Sequence, residues 1–229
     1  DGENPFDDRF KSPLPADIFK HSLPGTRGKA ALWLDVSKGE EKFSGASRRR
    51  PTEAFAIADQ LAEWIDSEAG RELSFGVISF YSAQVLEIMK ALRPKGLTKK
   101  INNSTYEITD AYQRNNKDGG ERLRIGTVDA FQGMEFDVVF LSVVRSQNMD
   151  SLPPKIKKLK DDTLRARRLF GHLVSKNRLC VSMSRQKKIL VVVGDAKFVQ
   201  SGLAKQEIPA LGKFLEICQN EETGNVQSI

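Results

Sequence analysis

The amino-acid sequence predicts an α/β fold: a doubly wound, mostly parallel sheet with helices on both faces. The first observation is that strand-like and helix-like segments alternate along the 229 residues. The second is that the predicted strands 136–144 and 188–194 are almost continuously apolar. Such runs are typical of strands that are covered on both faces, as in parallel sheets. We expect about five parallel strands.

Periodicity and end signals place the individual elements. Apolar residues recur at i, i+3 and i+4 over 52–65, which predicts an amphipathic helix, and Pro51 suits its first turn. Ser82 and Ser175 are expected to cap the helices that follow them. The other predicted helices cover 82–92, 163–173, 176–185, 196–203 and 208–219, and the other predicted strands cover 30–36, 73–81, 105–109 and 123–128.

Composition divides the chain into a core and polar surroundings. Residues 1–28 carry four prolines and little periodicity, which predicts an extended segment that comes from a preceding domain or linker. Residues 29–204 are predicted to form the main domain, with polar insertions at about 94–122 and 147–162. Residues 205–229 are predicted to be a C-terminal helix and a polar tail. Because the chain does not begin with Met, we expect a piece of a longer protein.

Charge narrows the class of function. The net charge is +6 and the pI about 9.3. Between residues 151 and 188, twelve Lys and Arg stand against two Asp, a local balance of +10. A basic segment this concentrated predicts contact with phosphates, although a solvated helix face would carry the same charge. No apolar run of about 18 residues and no signal-peptide pattern is present, so we expect no membrane partner and a cytoplasmic or, in a eukaryote, nuclear location.

The few cysteines and histidines argue against a metal site in this chain. Cys180 and Cys218 lie in apolar helical patterns without the spacing of metal ligands, and we expect both to be buried free thiols. The two histidines are far apart in the sequence. We therefore predict no metal-ligating residues.

Polar residues gather between the predicted strands 123–128 and 136–144. They are Asp129, Gln132, Gly133 and Glu135. Open α/β sheets bind ligands just beyond the ends of buried strands, so this turn is the first candidate site. Satisfying backbone groups of the turn is the alternative role of Asp129 and Gln132.

Four stretches resemble, in order and spacing, the second RecA-like motor domain of superfamily 1 helicases. The similarity is greatest to the branch of RNA-surveillance helicases and their DNA-acting relatives, and it spans about residues 30–200. The third stretch resembles motif V of that family and the fourth resembles motif VI. The stretches are Arg50-Pro-Thr-Glu-Ala54, Gly76-Val-Ile-Ser-Phe-Tyr-Ser-Ala-Gln84, Thr127-Val-Asp-Ala-Phe-Gln-Gly-Met-Glu135 and Arg178-Leu-Cys-Val-Ser-Met-Ser-Arg185.

The resemblance implies three catalytic residues. Arg185 would be the arginine finger, which stabilises charge on the γ-phosphate during its transfer. Arg178 would assist it from two turns earlier on the same predicted helix face, although a surface ion pair is the alternative for this residue. Gln132 would couple the nucleotide to the other motor domain. Where the family has an Asn in motif VI, this chain has Cys180, which cannot replace the amide.

Nucleotide contacts are implied for a second group of residues. Gly133 would let the nucleotide approach the backbone closely. Glu135 would contact a ribose hydroxyl or order water near the phosphates. The branch often has a further phosphate-contacting arginine where this chain has Pro51, and Arg50 or Arg49 would replace it.

Nucleic-acid contacts are implied at the ends of two strands. Thr127 would offer its hydroxyl to a phosphate of a single strand, a contact that positions the strand without reading its sequence. Ser79, Tyr81 and Gln84 would lie on the same rim, with packing as the alternative role of Tyr81. DNA and RNA remain equally open as the partner.

The sequence contains no phosphate loop of the form Gly-x-x-x-x-Gly-Lys-Ser/Thr and no acidic box after an apolar strand. The cofactor, ATP with Mg²⁺, would therefore be held by a preceding N-terminal motor domain of the same polypeptide. We expect the isolated chain to be an inactive, monomeric part of an ATP-dependent DNA or RNA helicase. The alternative is a non-catalytic nucleic-acid-binding module derived from such a domain.

Overall fold

Ten strands build the structure, a computed structural model that describes residues 19–115, 119–147, 152 and 154–229. Six of them form one sheet in the order β10–β1–β9–β8–β4–β7, in which every pairing is parallel. The strands are β1 (Ala31–Asp35), β2 (Lys42–Ser44), β3 (Ser47–Arg49), β4 (Phe75–Ser79), β5 (Thr98–Lys100), β6 (Tyr106–Ile108), β7 (Leu123–Thr127), β8 (Phe136–Ser142), β9 (Gln186–Gly194) and β10 (Gly224–Ser228).

Helices cover both faces of this sheet, as the doubly wound prediction requires. On one face α1 and α2 pack against inward-facing side chains such as Leu32 and Phe140. On the other face α4 to α8 pack against Trp33 and Val192. The predicted fold class is therefore confirmed. The helices are α1 (Pro51–Ile65), α2 (Ser82–Leu92), α3 (Pro154–Lys157), α4 (Asp162–Phe170), α5 (Lys176–Ser182), α6 (Ala196–Gln200), α7 (Gly202–Glu207) and α8 (Pro209–Gln219).

The end of the chain was predicted to be a polar tail, but residues 224–228 form the sixth parallel strand of the sheet. β10 pairs with β1 along its whole length, from Ala31 opposite Gly224 to Asp35 opposite Ser228. It lies at the edge of the sheet, and the side-chain amide of Gln227 donates to the carbonyl of Gly25. Polar side chains suit an edge strand, so the hydrophobic pattern that marks buried strands is missing here.

Two further predictions change at the ends of elements, and one hairpin is added. The helix predicted to reach residue 185 ends at Ser182, so Arg185 lies in the turn before β9. Ser82 does not cap α2; the N-cap position is Tyr81, and the Ser47 hydroxyl accepts the backbone N–H of Ala83 instead. Between β1 and α1 lies the antiparallel pair β2–β3, for which the sequence analysis predicted no strand.

Residues 1–18 of the predicted extended segment lie outside the described residues, as does part of the insertion predicted at 147–162. The predicted domain boundaries therefore remain predictions. In the described part of the chain, none of the helices combines the length and the apolar character that crossing a membrane demands.

Gly224 provides a test of the added strand. A Cβ at this position would lie 2.5 Å from the Cα of Cys218 and 2.7 Å from the carbonyl oxygen of Ile217. Gly224→Ala should therefore lower the free energy of unfolding by about 1–3 kcal/mol, measured by urea denaturation. Gly202→Ala is the matched control, because no atom lies within 4 Å of a Cβ there. Equal stability of both variants would show that β10 is not packed against α8.

Candidate functional site

The connection from β7 to β8 shapes the candidate site. Its residues 128–135 pass over β4, which lies between the two strands in the sheet. Phe131 packs directly on Gly76, where a Cβ would lie 2.9 Å from the Phe131 ring and 3.1 Å from that of Phe136. Because Gly76 has no side chain, the Phe131 ring can lie directly on the backbone of β4, and a short connection is enough to cross that strand. The connection therefore runs from the carboxyl edge of the sheet, where the parallel strands end, to the amino edge, where they begin.

This path separates residues that the sequence analysis placed together beyond one strand end. Thr127 ends β7 at the carboxyl edge, whereas Glu135 immediately precedes β8 at the amino edge. Gln132, Gly133 and Glu135 are all exposed. Gly133 has a φ of +77°, a left-handed conformation that favours glycine. The polar turn therefore contributes to two separate half-sites. One contains Thr127 at the carboxyl edge of the sheet, and the other contains Gly133 and Glu135 at the amino edge.

Arg185 contacts the connection at its amino-edge end. Its Nη1 donates to the carbonyl of Met134 at 3.4 Å, and its Nε donates to the carbonyl of Val181 at 3.1 Å. Its own carbonyl accepts the N–H of Phe136 at 2.9 Å. Because Met134 stands between Gly133 and Glu135, the structure brings these two residues together with Arg185. Along the same edge runs an open groove of about 640 Å³ that Glu135, Lys187 and Lys188 help to line.

Arg178 contacts the connection near its other end. Its Nη2 donates to Asp129 at 3.1 Å, and its Nη1 lies 3.3 Å from His172 Nδ1. The prediction that Arg178 lies two turns before Arg185 on the same helix face is wrong, because α5 ends before Arg185. The ion pair of Arg178 with Asp129 is the alternative that the sequence left open. Burial and the neighbouring Arg178 lower the pKa of His172.

Of the four predicted nucleic-acid contacts, only Thr127 has a partly exposed side chain. Ser79 is fully buried, and its hydroxyl accepts the N–H of Tyr81 at 3.3 Å. The Tyr81 side chain is also buried and packs on His172, with 5.2 Å between the ring centroids. Gln84 is fully buried as well. These three residues shape the carboxyl edge from inside, and their predicted contact with nucleic acid does not fit their burial.

Gln84 and Arg50 both belong to a buried network of polar side chains that is centred on Glu53. The carboxylate of Glu53 accepts from the hydroxyl of Ser142 at 2.6 Å, from the N–H of Val144 at 2.9 Å, and from Arg50 at 3.1 Å. Gln84 accepts the backbone N–H of Arg50 at 2.7 Å and donates to the Ser142 hydroxyl at 3.0 Å. Burial raises the pKa of Glu53, and the three donors oppose that rise.

Arg50 is consequently not placed for nucleotide contact. Its guanidinium also donates to the carbonyls of Val36 and Gly39, at 2.6 and 3.0 Å. Only 1% of its side chain is exposed. Arg49, the other arginine considered for that role, pairs with Glu87 at 2.6 Å. The prediction of a phosphate contact here conflicts with the burial of Arg50, whose charge instead balances Glu53.

Arg145 is a buried arginine that the sequence analysis did not single out. Its side chain is 1% exposed, its Nε lies 3.0 Å from Glu41, and its Nη2 donates to the carbonyl of Arg168 at 2.8 Å. An arginine directly after a continuously apolar strand was the signal available in the sequence. Cys180, in contrast, is exposed, which corrects the prediction of two buried thiols; Cys218 is buried, and burial raises its pKa to about 12.

The parallel sheet with helices on both faces defines the class of protein, a doubly wound α/β domain, and the sequence contains no phosphate loop. The family profile described as AAA domain (AAA_12) matches residues 11–197, and the chain belongs to that family. Several similar proteins are named as helicases, and together with the family match this confirms the resemblance to superfamily 1 helicases.

Three curated relatives illustrate the similarity. DNA polymerase alpha-associated DNA helicase A of Saccharomyces cerevisiae is 33% identical over 63% of this chain and 15% of its own length. Helicase required for RNAi-mediated heterochromatin assembly 1 of Schizosaccharomyces pombe is 27% identical over 78% and 14%. Regulator of nonsense transcripts 1 homolog of Drosophila melanogaster is 24% identical over 82% and 13%. The chain thus spans about one seventh of the length of these relatives.

Glu53 provides a stability test of the buried network. Glu53→Ala leaves the Arg50 guanidinium buried without its counter-charge, so the free energy of unfolding should fall by about 3–5 kcal/mol. Glu63→Ala on the same helix is the control, because Glu63 is exposed and should change stability by about 0.5 kcal/mol or less. Denaturant unfolding measures both values. Similar small losses in the two variants would contradict the role assigned to Glu53.

Proposed function

We propose that this chain is the C-terminal motor domain of an ATP-dependent DNA or RNA helicase. The observation that carries the proposal is the position of Arg185 at the amino edge of the sheet. The residue is half-buried and donates to the carbonyl of Met134, between the exposed residues Gly133 and Glu135. This half-site suits a nucleotide that a second domain presents.

Its charge environment sets Arg185 apart from the other arginines discussed above. Its hydrogen-bond partners are two carbonyls and the hydroxyl of Ser184, and none of them is charged. Arg178 and Arg50, in contrast, each pair with a carboxylate. Because no carboxylate among the described residues pairs with Arg185, a phosphate could take that place beside its guanidinium. Arg185 would serve as the arginine finger, which acts through charge and bidentate geometry.

The remaining nucleotide contacts follow from the same half-site. Glu135 would contact the ribose or order water, and Gly133 would leave room for the nucleotide beside the backbone. Gln132, exposed on the same connection, would reach the preceding motor domain. When bound, ATP would supply the phosphoryl group and Mg²⁺ would neutralise the developing charge, and we propose that a preceding domain holds both.

The strand-binding half-site would lie at the opposite edge. Thr127 ends β7 there with a partly exposed side chain. The exposed residues Arg167 and Arg168 of α4 bring positive charge to the same side, because Arg145 at the end of β8 bonds to the carbonyl of Arg168. Such groups contact the backbone of a single strand without reading its sequence. We propose that the chain acts as a monomer, with the preceding domain as its protein partner.

The split site predicts that the 229-residue chain alone does not hydrolyse ATP. The chain supplies an arginine and a glycine turn, but the triphosphate and its metal need the phosphate loop and acidic box of another domain. A coupled-enzyme assay with and without single-stranded nucleic acid measures the turnover. Turnover above background that persists through repeated purification would contradict the split site.

Arg185→Ala in the intact helicase tests the finger. Loss of an arginine finger lowers kcat by roughly 10³- to 10⁵-fold, while single-strand affinity should remain within about 3-fold. Arg185→Lys should also fail, because lysine keeps the charge but loses the bidentate fork. Arg93→Ala is the control, since Arg93 is exposed at the end of α2. Normal ATPase activity in Arg185→Ala would contradict the assignment of Arg185 as the arginine finger.

A further inference from the structure

The β2–β3 hairpin carries the most exposed large apolar side chain among the described residues. Phe43 is 73% exposed and stands directly opposite Arg48 in the register of the two strands. The Arg48 guanidinium carbon lies 4.0 Å from the centre of the Phe43 ring, a cation–π arrangement. One ring face is therefore supported, and the other is open to a ligand.

The hairpin is held firmly on its other face. The Ser47 hydroxyl accepts the N–H of Ala83 at 3.1 Å, and Arg49 pairs with Glu87 at 2.6 Å. Both partners belong to α2, which begins directly after Tyr81 at the carboxyl edge of the sheet. Because side chains alternate across a strand, Phe43 and Arg48 point away from α2. The aromatic ring is thus presented from a fixed support next to the edge where Thr127 lies.

Arg48, which lies against this ring, is linked through Glu41 to a second arginine. Glu41 pairs with Arg48 and also lies 3.0 Å from the buried Arg145, without hydrogen-bond alignment to it. One carboxylate therefore stands between two guanidiniums. Arg145 in turn bonds to the carbonyl of Arg168 in α4, a helix of the segment 151–188 that has a local charge balance of +10.

We propose that Phe43 is a stacking platform for one unpaired base of a single-stranded nucleic acid. The base would lie on the open ring face, and arginines of α4 would contact the neighbouring phosphates. Aromatic side chains combined with a basic surface bind single strands in this way, because every base offers a π-face. This inference rests on the proposed function, which it extends to a residue outside the four stretches that resemble helicase motifs.

The test uses the 229-residue chain with fluorescein-labelled oligo(dT) and oligo(rU) of twelve nucleotides, and fluorescence anisotropy gives Kd at several salt concentrations. Phe43→Ala should weaken binding roughly 5- to 100-fold, because base stacking on an aromatic side chain is lost. Phe43→Tyr should restore it. Phe55→Ala is the matched control, because Phe55 is also an exposed phenylalanine, 57% exposed on α1.

Salt dependence separates stacking from charge. Phe43→Ala should keep the wild-type slope of log K against log salt, since no charge is removed. Arg167→Ala should reduce that slope by about one, as expected for a lost phosphate contact. A Phe43→Trp variant adds an exposed indole, whose emission should be quenched when the oligonucleotide binds, whereas Trp33 and Trp64 are buried.

Several outcomes would overturn the proposal. Unchanged affinity in Phe43→Ala would mean that the ring docks something else, such as the preceding motor domain. An equal loss in Phe55→Ala, or a flattened salt slope in Phe43→Ala, would show that stacking is not the cause. A wild-type chain that binds neither oligonucleotide would overturn it together with the proposed strand-binding edge. Absence of ATPase activity in the intact wild-type protein, in contrast, would refute the proposed motor function without affecting the measured base stacking.

Discussion

The carboxylate of Glu53 holds the carboxyl edge of the sheet together. It lies on α1, accepts from Ser142 at the end of β8, and pairs with Arg50, whose backbone is bonded to Gln84 of α2. It also accepts the N–H of Val144, which has a φ of +68°, a conformation that a β-branched residue rarely adopts. This bond fixes the turn from which Arg145 reaches both the hairpin and α4. The surface proposed to meet a single strand therefore depends on one buried charge.

The sequence predicted the parts of the fold that bury apolar surface. The continuous runs in β8 and β9 predicted a parallel sheet, because strands covered on both faces need no alternation. The i, i+3, i+4 pattern of α1 predicted that helix to within one residue. β10 was missed because an edge strand is stabilised by backbone pairing with β1 and carries polar side chains, so periodicity has nothing to detect.

The site was harder to predict than the fold, because motif residues at similar strand ends have different surroundings. Ser79 and Thr127 are neighbours in register, yet Ser79 is covered on both sides and Thr127 lies on the edge strand. Burial of Arg50 depends on Glu53 and on carbonyls from the loop after β1, contacts that no local spacing encodes. The hairpin was missed because its strands have three residues each, too few for a periodic signal.

The crossover from β7 to β8 gives the proposed motor a physical means of linking its two half-sites. Arg178 holds it near Thr127 through an ion pair with Asp129, and Arg185 holds it near Glu135 through a 3.4 Å contact with Met134. The second contact is long and its acceptor is a neutral carbonyl, so a phosphate would replace it at little cost. Arg185 would then release Met134 while Asp129 stays bound. Nucleotide arrival would thus loosen one end of a segment whose other end faces the strand.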